Sequence, residues 1–241
     1  MGNPEVGLKV EAKIRSTDEI NKLFLPGEIG AILDWEVRDT QTGEIVIDPR
    51  TGKPNVGIKK AESFVRQFMD ILLVKFLNLP LKEYLLITDI TGAAREITNH
   101  ALDFNSNGGA GIVTRGIIVG AGIAAPTPTI TDYVLANPIA HDSGAHGAGT
   151  LQYGSSSFAA PTSDATTSQF TITRGFSNAT AGAITVYEIG LYVDACQQQK
   201  IDGPTTLTFY NFMTIHDGVP GGIVVGVGQT LTVNYRPQCV I

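Results

Sequence analysis

The sequence predicts a mainly β protein: an antiparallel β-sandwich, one packed α-helix in the N-terminal region and an extended N-terminal arm. Two observations carry this prediction. The last third of the chain alternates apolar and polar residues between turns rich in Gly, Pro and Asn. Only one segment, Ala61 to about Asn78, has helical periodicity. At 241 residues, the chain can bury a core as one large β domain or two smaller ones.

Charge is distributed unevenly and suggests three regions. Residues 1–100 hold 13 of the 17 basic and 15 of the 23 acidic residues, whereas residues 101–187 hold six charges. We therefore expect an arm at 1–26, a hairpin-plus-helix subdomain at 27–100 and the sandwich at 101–241. In the third region the surface is solvated by Thr, Ser, Asn and Gly, or it is covered by partners.

The N-terminal elements follow from local patterns. An arm of this kind is expected to become ordered on a neighbouring subunit. A hairpin is predicted from Ile29–Arg38 through the turn Asp39–Glu44 to Ile45–Ile47. Gly43 occupies the turn position that needs a positive φ.

The helix prediction rests on an apolar stripe at helical spacing, with polar residues opposite and Pro80 as the stop signal. The stripe consists of Phe64, Val65, Phe68, Ile71, Leu72, Lys75 and Phe76. The polar face consists of Glu62, Arg66, Gln67 and Asp70. The run Ile71–Leu77 is apolar nearly all round, which predicts burial of this end on two sides.

Strands are predicted along the rest of the chain, separated by glycine-rich loops. Short strands are expected at Leu85–Thr91, Arg95–Ala101 and Ile112–Gly120, and a long Gly/His loop at Ala140–Tyr153. The C-terminal strands are Ser168–Phe176, Ala183–Val193, Thr205–Ile215, Gly222–Val227 and Thr230–Arg236.

A change of parity occurs inside Ala183–Val193, where Glu188 interrupts the apolar alternation. A strand swaps faces in this way at a bulge, which we expect near Tyr187–Gly190. Glu188 is expected to accept backbone hydrogen bonds at the bulge, or to pair with Arg174. Gly190 would allow close approach of the backbone.

Two candidate sites have weak sequence support. Gly120, Gly122 and Ala125 fit a loose G-x-G-x-x-A pattern, but Pro126 follows at once and no helix begins there. A turn is therefore the better interpretation.

The second candidate consists of His141, Asp142 and His146, which could form a metal or acid/base cluster. Their spacing and the glycines between them favour a mobile loop instead. The sequence contains no G-x-S-x-G, P-loop or H-E-x-x-H motif. We predict no catalytic, cofactor or metal site.

Bulk properties exclude several classes of partner. A net charge of -6 argues against nucleic acid and against an anionic membrane surface. No apolar run is long enough for a transmembrane helix, and the N-terminal residues lack the apolar core of a secretory signal. Cys196 and Cys239 are expected to be free thiols, with a single bridge as the alternative.

Several C-terminal segments resemble a β-sandwich module of tailed bacteriophages and prophages, found in tail-collar and fibre proteins. The segments are Ser168–Asn178 (SQFTITRGFSN), Ile184–Val193 (ITVYEIGLYV), Phe212–Asp217 (FMTIHD) and Val224–Arg236 (VVGVGQTLTVNYR). Shorter matches are Ile117–Gly122, Thr131–Leu135 (TDYVL) and Leu151–Tyr153. The resemblance covers roughly residues 110–241, and its motifs are structural.

The resemblance implies a non-enzymatic virion protein of the tail, baseplate or fibre base, assembled in the host cytoplasm. Its expected partners are copies of itself, as a trimer or hexamer, and other virion proteins. The alternatives are a capsid decoration or neck protein, or a receptor- or carbohydrate-binding module. The recognition module would use Tyr153 and Phe158 beside the Gly/His loop. A hydrolase has no support in the motifs.

Overall fold

Two antiparallel β-sheets pack face to face in the computed structural model, which describes residues 29–61, 64–77, 85–98, 103–199 and 206–240. This confirms the predicted class, a mainly β protein with antiparallel packed sheets and one helix. The elements are β1 (Ile29–Asp39), β2 (Ile47–Asp48), β3 (Lys53–Pro54), β4 (Val56–Lys60), α1 (Arg66–Leu77), β5 (Leu85–Thr88), β6 (Ala94–Ile97), β7 (Gly116–Gly120), β8 (Gln152–Tyr153), β9 (Ser157–Phe158), β10 (Thr162–Ser163), β11 (Thr167–Gln169), β12 (Ile172–Ser177), β13 (Ile184–Gln199), β14 (Thr206–Val225) and β15 (Gln229–Val240).

The larger sheet has eight strands and is organised around β15. One edge of β15 pairs with β1 along its whole length, from Ile29 opposite Cys239 to Asp39 opposite Gln229. Its other edge pairs with β12 and then β11. β4 extends the sheet beyond β1, and β8 and β9 extend it beyond β12. Residues near the start of the described chain therefore lie at the centre of the same sheet as its last strand.

The smaller sheet has the order β14-β13-β7 and covers the inner face of the first. An irregularity lies where it was predicted, because the β13–β14 register shifts between Val186 and Glu188, but the extra residues belong to β14 and not to β13. Val186 lies opposite Ile223 and Glu188 opposite Gly218, so residues 219–222 bulge out against a single residue of β13.

Two of the predicted strand boundaries are wrong. Thr205–Ile215 and Gly222–Val227 belong to one long strand, β14, because pairing resumes at Ile223 beyond the bulge. An edge strand tolerates a bulge containing Pro220, because its outer side lacks a ladder partner in the sheet. The strand predicted at Ala183–Val193 extends further, because β13 continues to Gln199.

The helix begins later and turns a different face inward than predicted. Phe64 forms a β-bridge with Ile215, so α1 starts at Arg66. Gln67, expected on the polar face, is buried, and its amide donates to the Thr88 carbonyl at 3.4 Å. Leu73 is 45% exposed, so the prediction of burial on two sides is wrong. The hairpin β5–β6 explains the rotation, because it covers the face that carries Gln67.

The hydrophobic core lies mainly between the two sheets. A second cluster joins α1 and the β5–β6 hairpin to the C-terminal part of β13 and the N-terminal half of β14. The second cluster consists of Ile71, Val74, Ile87, Ile97, Val193, Ala195 and Phe212. Within the described ranges, the single helix is too short to cross a membrane. The predicted arm at 1–26, Glu62 and Pro80 lie outside the described residues.

Candidate functional site

Three ionisable side chains meet where β13 and β14 pass under the long β7–β8 connection, and we call them the carboxylate–histidine centre: Asp132, Glu188 and His216. Glu188 follows the register shift in β13, His216 lies on the neighbouring β14, and Asp132 comes from the connection. Gly120 on β7 makes room for Glu188. A Cβ at residue 120 would lie 2.5 Å from the Glu188 side chain, so a larger residue would displace the carboxylate.

Every polar side-chain atom of Glu188 and His216 has a hydrogen-bond partner. The Asp132 carboxylate lies 2.7 Å from His216 Nδ1, and the Glu188 carboxylate lies 3.2 Å from His216 Nε2. Glu188 Oε1 accepts a hydrogen bond from the Asn137 backbone N–H at 2.7 Å, and Oε2 accepts one from Ala136 at 3.0 Å. The carboxylate therefore fastens the connection to the sheet. The sequence prediction that Glu188 accepts backbone hydrogen bonds is correct, but the donors belong to this connection.

The surroundings favour the charged form of the imidazole. Burial by itself would lower the pKa of His216, but hydrogen bonds to Glu188 and Asp132 outweigh burial and raise this pKa above its ordinary value. Burial opposes ionisation of Asp132, yet hydrogen bonds from Thr129 and His216 lower the pKa of its carboxyl. With both ring nitrogens engaged, the imidazole is built to hold two carboxylates together. A general base would need one nitrogen directed at a substrate.

Arg174 forms a second buried polar unit, on β12 in the larger sheet. Its side chain is fully buried, and all five N–H donors meet backbone carbonyls at 2.7–3.0 Å. The acceptors are the carbonyls of Gly109, Ile112, Arg115, Ile117 and Gly154. The guanidinium thus holds the β6–β7 connection, the start of β7 and the residue after β8 in one arrangement.

The electrostatics of Arg174 are unusual for a buried cation. Desolvation by burial lowers its pKa to about 10, and among the described residues no carboxylate lies within ion-pair distance. The ring faces of Tyr153 and Phe176 lie 5.0 and 6.0 Å from the guanidinium carbon, where cation–π attraction contributes. The alternative prediction that Arg174 pairs with Glu188 is wrong, because backbone carbonyls surround the guanidinium instead.

A third polar link joins the two sheets. Tyr235 on β15 donates its hydroxyl hydrogen to Asp217 Oδ2 on β14 at 2.8 Å. Lys59 on β4 lies 3.6 Å from the other carboxylate oxygen and donates to the Gly218 carbonyl at 2.8 Å. Asp217 is fully buried, so these contacts compensate for the loss of its hydration.

The Gly/His loop does not bring its candidate residues into one cluster. His146 Nδ1 lies 2.8 Å from Asp142 Oδ2, while Asp142 Oδ1 accepts the backbone N–H groups of Gly144 and His146. His141 instead accepts the Tyr153 backbone N–H at 3.2 Å through Nδ1. Asp142 therefore organises a turn. Across the described residues, no group of three or more His, Cys, Asp or Glu side chains is arranged to hold a metal.

The aromatic pair proposed for carbohydrate binding is not a surface pair. Tyr153 is buried against Phe176, and its hydroxyl donates to the Ile139 carbonyl at 2.7 Å. Phe158 is 47% exposed on β9. A stacking platform of these two side chains is ruled out, because β8 directs Tyr153 into the core.

The remaining candidates have structural roles. After Gly120 the chain continues as a loop through Gly122 and Pro126, so the G-x-G-x-x-A match is a turn after a strand. Both cysteines are free: Cys196 is buried and Cys239 is exposed. The predicted absence of a bridge is correct, and the alternative of one bridge is wrong.

Fold and site together define a class of protein, an antiparallel β-sandwich whose long connections are held by buried charged side chains. Comparison with protein families, with curated proteins and with solved structures finds no match for this chain.

Sequence reasoning found Glu188 and Arg174. It missed Asp132, which joins Glu188 through the imidazole of His216, and it missed Lys59 and Tyr235, which contact Asp217. The available signal was a charged or phenolic residue inside an apolar stretch, as in TDYVL, FMTIHD and LTVNY. Such a residue is buried only with a partner. The identity of the partner depends on pairings across the sandwich, which the sequence does not reveal.

Proposed function

We propose that this protein is a non-enzymatic structural component of a bacteriophage virion, at the tail baseplate or fibre base, and acts by symmetric assembly. The observation that carries the proposal is the edge of the smaller sheet. β14 is 20 residues long. Phe64, Val65 and Ile90 contact its backbone between Asn211 and Ile215, and among the described residues no strand pairs with its outer edge elsewhere. Its only charged or imidazole side chains, His216 and Asp217, are buried.

The exposed end of β14 has the composition of an association surface. Residues 206–209 are all exposed, carry no charge and include Leu207, which is 42% exposed. Proteins that remain monomeric protect such edges with Lys, Pro or a covering segment, because an open edge pairs with another chain. The exposed, uncharged edge at residues 206–209 therefore favours strand pairing between subunits or burial under a neighbour.

The buried polar units support the same role. The carboxylate–histidine centre, Arg174 and the Asp217–Tyr235 pair each hold two or more chain segments in a fixed arrangement. A building block benefits from rigid loops, because ordering them costs nothing further at assembly. The resemblance of the C-terminal segments to phage tail modules adds the virion and the tail to this inference.

The test is the mass of the purified protein, measured by light scattering after size-exclusion chromatography. We expect a closed oligomer for the wild type and a smaller species for Leu207→Lys, with unchanged circular dichroism. The matched control is Val227→Lys, which places the same charge on an exposed apolar residue in the β14–β15 turn. A wild-type monomer at every concentration, or equal behaviour of the two variants, would contradict the proposal.

The stoichiometry separates the positions in the particle. A hexamer favours a ring of the tail or baseplate, and a trimer favours a fibre base or the rival role as a capsid decoration protein. Binding of the purified protein to phage particles assembled without it, followed by electron microscopy, then distinguishes tail from capsid or neck.

A further inference from the structure

A cavity of about 630 Å³ opens between the two sheets at the end where α1 lies, and we call it the inter-sheet cavity. Its floor includes Leu191 and Ile215 of the smaller sheet and Ile172 of the larger. These three side chains are buried, so the cavity reaches the hydrophobic core. The volume falls within the range of about 300–1,000 Å³ that is usual for small-molecule sites.

The lining is aromatic and uncharged. Five phenylalanines surround the cavity: Phe64, Phe68, Phe104, Phe158 and Phe170. No Asp, Glu, Lys, Arg or His occurs among the described residues that line it. A phosphate, carboxylate or ammonium group would lose its hydration here without gaining a counter-charge.

The walls come from several elements that are fixed elsewhere. Phe64 is held by its β-bridge to Ile215, and Phe68 stacks at 4.1 Å between ring centroids on Phe64. Phe104 contacts Phe68 edge-on at 5.7 Å. This chain of rings keeps the cavity open, because the phenylalanines support one another and do not collapse onto the floor.

We propose that the inter-sheet cavity binds an uncharged small molecule with a mainly aromatic or alkyl body. Binding would come from burial of apolar surface and from contact with the phenylalanine rings. This binding site does not include the exposed end of β14. Ligand binding can therefore be tested separately from the proposed assembly function.

A thiol at the rim provides a direct readout. Cys239 lines the cavity and lies opposite Ile29 of β1 in the ladder. Cys196 is buried, and desolvation raises the pKa of its thiol to about 11, so it remains protonated and unreactive at neutral pH. Alkylation of the native protein therefore reports on Cys239.

The experiment uses Nile red, a neutral apolar dye, with the full-length protein. We expect saturable fluorescence enhancement at one dye per chain, and slower alkylation of Cys239 by N-ethylmaleimide as the dye saturates. Phe158→Asp should weaken dye binding by about tenfold or more, because it places a charge at the mouth. The control Val227→Asp removes an equally exposed apolar residue remote from the cavity and should bind as the wild type does.

Phe170→Asp provides a second cavity variant if Phe158→Asp lowers the thermal midpoint. Absence of saturable binding, or binding that leaves the alkylation rate of Cys239 unchanged, would overturn the proposal. An equal loss of Nile red binding in the cavity variants and in Val227→Asp would also overturn the proposal.

Discussion

Glu188 on β13 accepts a hydrogen bond of 2.7 Å from the backbone N–H of Asn137, which lies in the connection between β7 and β8. The second carboxylate oxygen accepts from Ala136 and contacts His216. One side chain thus satisfies two backbone donors of an irregular segment and fixes that segment to the sheet. Because the Glu188 carboxylate is buried, it needs these donors, and the two hydrogen bonds fix the course of the segment.

Replacing this carboxylate by an amide is the most direct test. Glu188→Gln keeps the shape but replaces one acceptor oxygen with an NH₂ group, which repels a backbone donor. We expect a loss of about 2–3 kcal/mol in the free energy of unfolding, measured by urea denaturation. Glu44→Gln, on an exposed turn, should change stability by less than about 0.5 kcal/mol. Similar values for the two variants would show that Glu188 does not hold the connection.

The histidine of the same centre should make stability depend on pH. The folded-state pKa of His216 is raised above its ordinary value of 6.5, so its stabilising contribution is fully present below that value. The contribution is lost as the pH rises through the folded-state pKa. We expect the free energy of unfolding of the wild type to fall over this window.

The variant His216→Gln should have a flatter pH profile, because the amide does not titrate. His146→Gln, which removes an imidazole from a half-exposed loop side chain, provides the comparison. The measurement is urea denaturation at several pH values from acidic to mildly basic. An identical slope for wild type and His216→Gln would exclude a role for His216 in the pH dependence.

The fold class was predictable because strand alternation is a local signal. Glu188 at a change of parity indicated the bulge, and Gly43 with a positive φ of 72° occupies the turn position expected of it. Long-range pairing was not predictable. β1 lies next to β15 although about 200 residues separate them, and no local pattern encodes this neighbour. The same limitation applies to α1, whose buried face depends on the β5–β6 hairpin.

The candidate site was predictable only as isolated residues. Glu188 and Arg174 were recognisable because a charged residue in an apolar strand must have a buried partner. Their partners were not recognisable, since Glu188 meets a loop and a histidine while Arg174 meets backbone carbonyls alone. Backbone acceptors carry no sequence signature. From sequence alone, an arginine that binds five backbone carbonyls therefore cannot be distinguished from one that pairs with a carboxylate.

Arg174 should be irreplaceable by lysine. A lysine ammonium has three donors on one atom and cannot reach five carbonyls arranged around a planar guanidinium. We expect Arg174→Lys to lower the free energy of unfolding by about 3–5 kcal/mol, with faster hydrogen exchange in residues 109–117. Arg66→Lys provides the matched control, because the Arg66 side chain is exposed on α1 and pairs with Asp70. A loss as small as that of the control would mean that water replaces the guanidinium.

Gly218 tests how closely the β7–β8 connection approaches the sheet. A Cβ at residue 218 would lie 2.3 Å from the Pro126 carbonyl oxygen, and a backbone atom cannot move aside cheaply. We expect Gly218→Ala to destabilise the protein by about 2 kcal/mol or more, measured by thermal unfolding. At Gly182 a new Cβ would meet nothing within 4 Å, so Gly182→Ala should be neutral or slightly stabilising. Tolerance of alanine at 218 would show that the connection lies farther from β14.

Gln238 offers the opposite kind of change, a substitution that should stabilise. Its side chain is 4% exposed, yet among the described residues neither amide atom has a hydrogen-bond partner. Replacing a buried unsatisfied amide by an apolar group removes a desolvation cost. Gln238→Leu should therefore add about 1 kcal/mol, or a rise of about 2–4 °C in Tm.

The matched control for Gln238→Leu lies on the same face of β15. Asn234 donates to Asp34 Oδ1 at 2.6 Å and accepts from the Thr173 hydroxyl at the same distance, so its amide is satisfied on both sides. Asn234→Leu should lower Tm, because Asp34 Oδ1 and the Thr173 hydroxyl each lose their hydrogen bond to the Asn234 amide. Differential scanning calorimetry measures Tm for both variants, and we expect a rise for Gln238→Leu and a fall for Asn234→Leu. If Gln238→Leu also lowers Tm, then the buried amide stabilises the protein and the expected desolvation cost is absent.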